Sequence, residues 1–236
     1  MPGRLVSVHC SDIPAMKSRE GYIGLKDFPG KLIHIFEKQG FVYHSRVMIK
    51  KNELAEATRT KALGLAHKTV IKDSAMCRNA LPDYIITFRK LGENLEPIAH
   101  SNGFEEYIGE DILPEKQKHK EQKLNRHSQQ IWQRYASSVW FDINQSDTLN
   151  FRAAREEQDE RHICPLQLPV IARCLELWSN PGDVVLSPFA GVGSEGYESV
   201  RMGRKFVGIE LKESYYKTAL KNLKQIENKK QTGLKL

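Results

Sequence analysis

Apolar and polar positions alternate along this chain in two rhythms, and each rhythm predicts a different element. Arg4 to His9 is an apolar, β-branched run that predicts a strand, and Pro2-Gly3 ahead of it is the punctuation that ordinarily closes a preceding helix. The expectation is a domain entered partway along. Lys31 to Gln39 sets Leu32, Ile33, Ile35 and Phe36 at helical spacing and stops at Gly40, before the strand-like run Phe41 to Ile49. The same grammar returns later. Leu166, Val170, Ile171, Cys174, Leu175 and Trp178 form one helical face, Pro181-Gly182 breaks it, and Asp183 to Ser187 predicts a strand. Strand and helix alternate at both ends of the chain, so both ends are expected in one α/β architecture.

From about Lys50 to Asn150 that rhythm is lost. An alanine- and lysine-rich segment, a strand at Tyr84 to Phe88 and a polar stretch follow in turn. The expected organisation is therefore residues 1–50 and 151–236 as parts of one sheet, with 51–150 as a target-recognition insert. Within it, Pro114 to Gln130 carries Lys116, Lys118, Lys120, Lys123 and Arg126 with His119 and His127. Such composition cannot bury a core and reads first as a solvated loop or frayed helix, with DNA contact as the alternative. Ile131 to Ile143 interleaves Trp132, Tyr135, Trp140 and Phe141 with Arg134, which reads first as core packing and second as a platform for an extruded base.

Composition changes this picture little. At 236 residues, with 40% hydrophobic and 28% charged, the chain has the balance of a globular protein large enough for a substantial core. It contains no apolar run of about 20 residues, and its opening lacks a secretion leader, so a soluble cytoplasmic protein is expected. Cys10, Cys77, Cys164 and Cys174 form no CxxC pair, and His162 two residues from Cys164 is a weak signal alone, so reduced thiols and no metal are expected. A formal charge of +7 favours a polyanionic partner.

The chemistry concentrates in VVLSPFAGVGSEGYESVRMGRKFVGIE, from Val184 to Glu210. A strand ends at Ser187, a loop carries Gly191 and Gly193, a helix runs from Ser194 to about Met202, and a second strand from Lys205 to Ile209 ends at Glu210. Glycines let a backbone turn sharply and approach a ligand, and a helix amino terminus directs amide groups at it. A carboxylate at the tip of the second strand can accept from both hydroxyls of a ribose, which predicts an adenosine-containing ligand. Gly191, Gly193 and Gly196 also satisfy GxGxxG, so a nicotinamide dinucleotide must be weighed. Only one further helix follows Glu210, too little for a second mononucleotide half.

SPFAGVGSEG resembles the DPFxGxG loop of amino-directed DNA methyltransferases, and GIEL followed by Tyr215 and Tyr216 is similar to their ribose-binding strand and next helix. HICPLQLPVIARCLELWSNPGDVVL resembles the segment that precedes that loop. The order resembles the permuted, beta class of the family, while RTKALGLAHK, KDSAMCRNALPDYIITFRK and WQRYASSVW look like phage and prophage methylases. The resemblance implies a Rossmann-like methyltransferase fold with an inserted recognition region, S-adenosylmethionine as cofactor, double-stranded DNA as partner, and a restriction-modification setting. It implies that Phe189, Gly191 and Gly193 line the cofactor with Pro188 and Ser194 beside them, that Glu210 holds the ribose, and that Pro165 and Gln167 form a neighbouring wall. Ser187 stands where the family carries aspartate. The cations of the phage-like segments, Arg59, Lys61, Lys68, Arg78 and Arg134, are the DNA-binding candidates.

The family's catalytic tetrapeptide, of the form DPPY or SPPF, is expected several tens of residues ahead of PGRLVSV, and no two prolines are adjacent anywhere in this sequence. The resemblance places the strand bearing that motif between Asp183–Ser187 and Arg4–His9, which predicts a gap in the sheet and a fold incomplete at its amino end. A truncated chain, a split enzyme with a complementary subunit, and a decayed gene are the three explanations, and a homodimer is a further arrangement. Two functional classes follow: an amino-directed DNA methyltransferase portion, or a noncatalytic DNA- and cofactor-binding subunit.

Overall fold

The computed structural model describes residues 1–60, 63–113, 125–150 and 165–231. Lys61, Cys164 and most of the basic stretch 114–130 lie outside the described residues, as does the side chain of Arg59. The chain forms two compact units, residues 1–96 with 136–141, and residues 97–135 with 142 onward.

The first unit contains β1 (Leu5–Cys10), β2 (Ile13–Ala15), α1 (Lys17–Glu20), β3 (Gly24–Lys26), α2 (Phe28–Lys38) and β4 (Phe41–Ile49). α3 (Glu53–Thr60), a 3-10 turn (Leu63–Leu65), α4 (His67–Lys72) and a second 3-10 turn (Ser74–Met76) then lead to β5 (Asp83–Lys90), and β6 (Val139–Trp140) comes from later in the chain. β2 and β3 pair as a small antiparallel ribbon. The main sheet has the order β1-β5-β4-β6, with β5 antiparallel to both neighbours and β6 parallel to β4.

β5 and β4 are the interior strands, and Ile85, Ile86, Thr87 and Phe88 of β5 are buried on both of its faces. α2 covers one face. Pro29 opens its first turn and Asp27 caps it by accepting from Gly30 N at 2.6 Å, so the helix begins three residues earlier than its apolar spacing predicts. Leu32, Ile33 and Phe36 pack on Cys10, Ile86 and Phe88, with the Phe36 and Phe88 rings stacked at 4.1 Å. Burial pushes the Cys10 thiol up to about 11, so it packs as a neutral group.

Part of the span expected to form an insert, 51–150, contributes strands to this sheet. β5 sits between β1 and β4, and β6 extends the same sheet, so the two compact units cut this span elsewhere. Where the described ends of β4 and β5 meet, buried Asp83 stands 2.5 Å from Lys51 Nζ and 3.3 Å from His9 Nε2. Burial alone would raise its carboxyl, and the contacts with His9 and Lys51 more than offset that and hold it below the ordinary value.

The second unit contains α5 (Arg126–Tyr135), α6 (Leu168–Trp178), β7 (Val184–Ser187), α7 (Ser194–Arg201), β8 (Lys205–Gly208) and α8 (Glu213–Gln231). β7 and β8 run parallel, from the pair Val184–Lys205 to Ser187–Gly208. Arg204 ties the end of α6 to the start of β8, donating to the carbonyls of Leu175 at 3.2 Å and Ser179 at 2.7 Å. Arg173, on the buried face of α6, is itself fully buried. It donates to Asp142 and, at 2.6 Å, to Ile108 O, while Tyr107 donates to the same carboxylate.

Of the aromatic segment Ile131 to Ile143, Ile131 and Tyr135 pack with Phe104 and Trp140 is buried, whereas Trp132 and Phe141 are exposed. Core packing is thus the role of part of that segment only. No described helix is long and apolar enough to cross a membrane.

Candidate functional site

The βαβ unit predicted from the glycines forms with its parts in the expected order. β7 ends at buried Ser187, whose carbonyl accepts from Ile209 N at 3.0 Å, and Ala190 N returns a bond to Ile209 O at 2.9 Å. These two bonds extend the strand pairing past Pro188 and Phe189, which leaves the Phe189 ring 86% exposed at the carboxyl end of the pair.

Beyond Ala190 the chain must turn into α7. Gly191 takes φ of +53° and Gly193 takes +86°, values that suit glycine. The two differ in surroundings. A Cβ on Gly191 would meet nothing within 4 Å, whereas one on Gly193 would stand 3.0 Å from Ala219 Cβ of α8. Gly191 therefore borders open space, and Gly193 lets α8 close on the loop. Asn222, one turn further along α8, donates to Val192 O at 2.9 Å and holds the loop from the same side. Gly196 serves packing as well, since a Cβ there would stand 2.6 Å from the Phe206 ring.

Glu210 does more than the sequence predicts. Its Oε2 accepts from Gly191 N at 2.8 Å and its Oε1 from Lys212 N at 2.9 Å. The carboxylate thus clamps the glycine loop to the end of β8, and each oxygen keeps lone-pair capacity for a further donor. Gly193 is the N-cap of α7 and no side chain caps that terminus, so the helix presents its first amides and the positive end of its dipole beside the clamp.

Gln167 is the N-cap residue of α6, with Pro169 in the first turn. Arg204 anchors the other end of α6 at the start of β8. Gln167 Oε1 is buried without a hydrogen-bond partner, and Pro165 beside it is half-buried. Ser194 is buried in the first turn of α7. The candidate wall, loop and acidic tip therefore share one unit. The sequence signals miss Ala219 and Asn222, because nothing local marks which face of α8 meets a loop so far upstream.

The DNA-binding candidates are not equivalent. Lys68 is exposed on α4. Arg78 lies 3.7 Å from buried Glu56 and donates to Asn79 O at 2.9 Å, so its guanidinium braces its own loop. Arg134 is half-exposed, 3.5 Å from Asp111, and belongs to the other unit. Among the described residues, no group of three or more His, Cys, Asp or Glu is placed to hold a metal ion.

A family model for DNA methylases of the N6/N4 type matches residues 1–221. The DNA adenine methyltransferase YhdJ of Escherichia coli K12 is 41% identical over 76 residues, 31% of this chain and 26% of that protein. The methylase named YubD, from the same organism, is 34% identical over 71 residues, 29% of this chain and 31% of that protein. The matched stretches thus span about a third or less of these curated relatives. Among solved structures, a DNA modification methylase of Thermus thermophilus complexed with S-adenosyl-L-methionine has a TM-score of 0.64 at 20% identity, covering 95% of this chain and 70% of that one. The PvuII DNA methyltransferase, cytosine-N4-specific, has a TM-score of 0.54 at 14% identity, covering 95% and 69%. At these identities the likeness is one of fold, a Rossmann-like α/β methyltransferase. With its family model matched over nearly the whole length, the chain belongs to the N6/N4 DNA methylase family.

Proposed function

We propose that this chain binds S-adenosylmethionine at the loop of Phe189 to Ser194 and contributes it to methylation of an exocyclic amine of adenine or cytosine in double-stranded DNA. The observation that carries this reading is the clamp of Glu210 on Gly191 N beside the uncapped amino terminus of α7. The residues present fit the group: Gly191 opens on free space, Glu210 keeps acceptor capacity for a ribose, and Gln167 Oε1 is a buried acceptor without a donor. Ser187 replaces the family's aspartate with a hydroxyl that still forms hydrogen bonds. When bound, S-adenosylmethionine supplies an electrophilic methyl group on a sulfonium. The chain's own residues bind and orient it, and Phe189 offers an exposed ring at the mouth of the loop.

Transfer to an amine also requires groups that accept its hydrogens and hold the base outside the duplex. The family motif that does this needs adjacent prolines, which this sequence lacks. We infer that a different polypeptide segment supplies it, and that the chain belongs to a methylase of the permuted order acting in the cytoplasm. Titration calorimetry with S-adenosylmethionine tests the first step. Glu210→Ala should weaken binding at least tenfold, about 1.4 kcal/mol, because it removes a charged acceptor and the loop clamp together. Undiminished affinity would overturn the site.

The missing proline pair also favours a second reading, a noncatalytic subunit that binds DNA and cofactor. Mixing the chain with a polypeptide that bears a proline-proline-aromatic motif separates the two. Methyl transfer seen only in the mixture supports the split enzyme, and DNA binding with no transfer in any mixture supports the subunit.

A further inference from the structure

We propose that Asn222 is a positioning residue for the cofactor, which acts through the loop backbone by holding the Val192–Gly193 peptide in one orientation; this rests on the reading of the glycine loop as the S-adenosylmethionine site. The loop is built of residues that do not hold a shape by themselves. Gly191 and Gly193 supply the left-handed angles the turn needs, and the same freedom opens other conformations to each glycine at little cost. Val192 stands between them, so the peptides on both sides of it can rotate unless groups outside the loop pin them.

The pins come from two sides. Toward β8, Ala190 N donates to Ile209 O and Gly191 N donates to Glu210, which fixes the entry of the loop. Its exit is held differently. The Val192–Gly193 peptide donates through Gly193 N to Ala190 O at 2.8 Å and accepts through Val192 O from Asn222 Nδ2 at 2.9 Å. The first of these bonds lies within the loop and moves with it, whereas the second ties the peptide to α8. Val192 is only 4% exposed, so a carbonyl that lost this donor would gain little from bulk water in exchange.

That peptide leads straight into the groups that would meet the ligand. Gly193 is the N-cap of α7, its carbonyl accepts from Tyr197 N as the first bond of the helix, and the uncapped amides begin at the next residue. A rotation at Val192–Gly193 would therefore move the helix terminus relative to the Glu210 clamp. Donors and acceptors that are held in place before binding turn more of their interaction energy into affinity, because less is lost in ordering them. Glu210 orders one end of the loop and Asn222 the other.

The test is calorimetry of the full chain with S-adenosylmethionine, well below the melting temperature, with Glu210→Ala as the reference for loss of the clamp. Asn222→Ala removes the donor from a helix that tolerates alanine and should weaken binding about three- to tenfold. Asn222→Asp keeps the shape but at neutral pH sets a carboxylate, which cannot donate, against the Val192 carbonyl, so it should weaken binding at least as much. Its deficit relative to the wild type should shrink as pH falls toward about 4, where a protonated carboxyl donates again, while the Asn222→Ala deficit should not. A residue that only secured α8 would lower the melting temperature and leave both affinity and its pH profile at the wild-type values. Wild-type affinity in Asn222→Ala, with Glu210→Ala weakened, overturns the inference and leaves the cofactor site standing, and this comparison decides alone if Asn222→Asp does not fold. No binding by the wild type, or undiminished binding by Glu210→Ala, overturns the cofactor reading itself, and this inference with it.

Discussion

Gly191 and Gly193 look alike in the sequence, but replacing them should have different consequences. A valine at either position must adopt a left-handed conformation that costs about 1–2 kcal/mol. At Gly193 its side chain also runs into Ala219, so Gly193→Val should loosen α8 and lower the melting temperature. At Gly191 it enters open space next to the clamp, so Gly191→Val should keep most of the stability and lose cofactor affinity. Thermal melts beside calorimetry check the pair, and equal effects on stability would show that the two glycines serve one purpose. Asp142 makes a second residue-level case. Burial raises its carboxyl, but Arg173 and Tyr107 together outweigh this and hold it below the ordinary 3.8, as His9 and Lys51 do for Asp83. A carboxyl lowered on folding contributes stability that is fully present above its unfolded value and lost as pH falls through the folded one. Denaturant midpoints should therefore be insensitive to these two groups above about pH 5 and fall below 3.8. Asp142→Asn should cost roughly 3–5 kcal/mol at neutral pH by removing the negative charge that neutralises the buried Arg173 guanidinium, and should flatten the acid limb.

Element by element, what the sequence shows is what neighbours in the chain decide. α2 is legible because Leu32, Ile33 and Phe36 keep helical spacing and Gly40 stops it, and its cap is Asp27, directly before its first residue. Asp27→Ala should remove the bond to Gly30 N and cost about 1 kcal/mol, measurable as a shift in the denaturation midpoint with unchanged slope. The glycine loop and Glu210 are legible for the same reason, since turn, helix and acidic tip follow one another within a single βαβ unit. What is hidden depends on distant partners. Tyr84 to Phe88 reads as a strand, but only the pairing of β5 with both β1 and β4 shows it to be interior to the sheet. Arg173 falls among apolar residues of α6 with no local sign of burial, because Asp142 lies 31 positions away. Arg78 looks like a DNA contact by charge alone, and its engagement with Glu56 becomes visible only when the loop is closed.

At the scale of the whole molecule, the proposed cofactor site lies entirely within one of the two compact units, and the four-stranded sheet lies in the other. A ligand that binds only the folded form stabilises every opening that destroys its site, by about 2.7 kcal/mol at a hundredfold excess over Kd. Openings that leave the site whole gain nothing, and local openings span a wide range of free energies within one protein. S-adenosylmethionine should therefore slow amide exchange by up to about a hundredfold in β7, β8, α7 and the first turns of α8, whose amides open with the loop. Amides of β1, β4 and β5 that exchange by openings confined to their own unit should keep their rates. Hydrogen exchange followed by mass spectrometry, with and without the cofactor, reads both sets in one experiment. Equal protection of both sets would mean that the units open as one and that the site is not energetically confined to the second. Protection of neither, with binding seen by calorimetry, would place the cofactor away from the Gly191–Glu210 clamp.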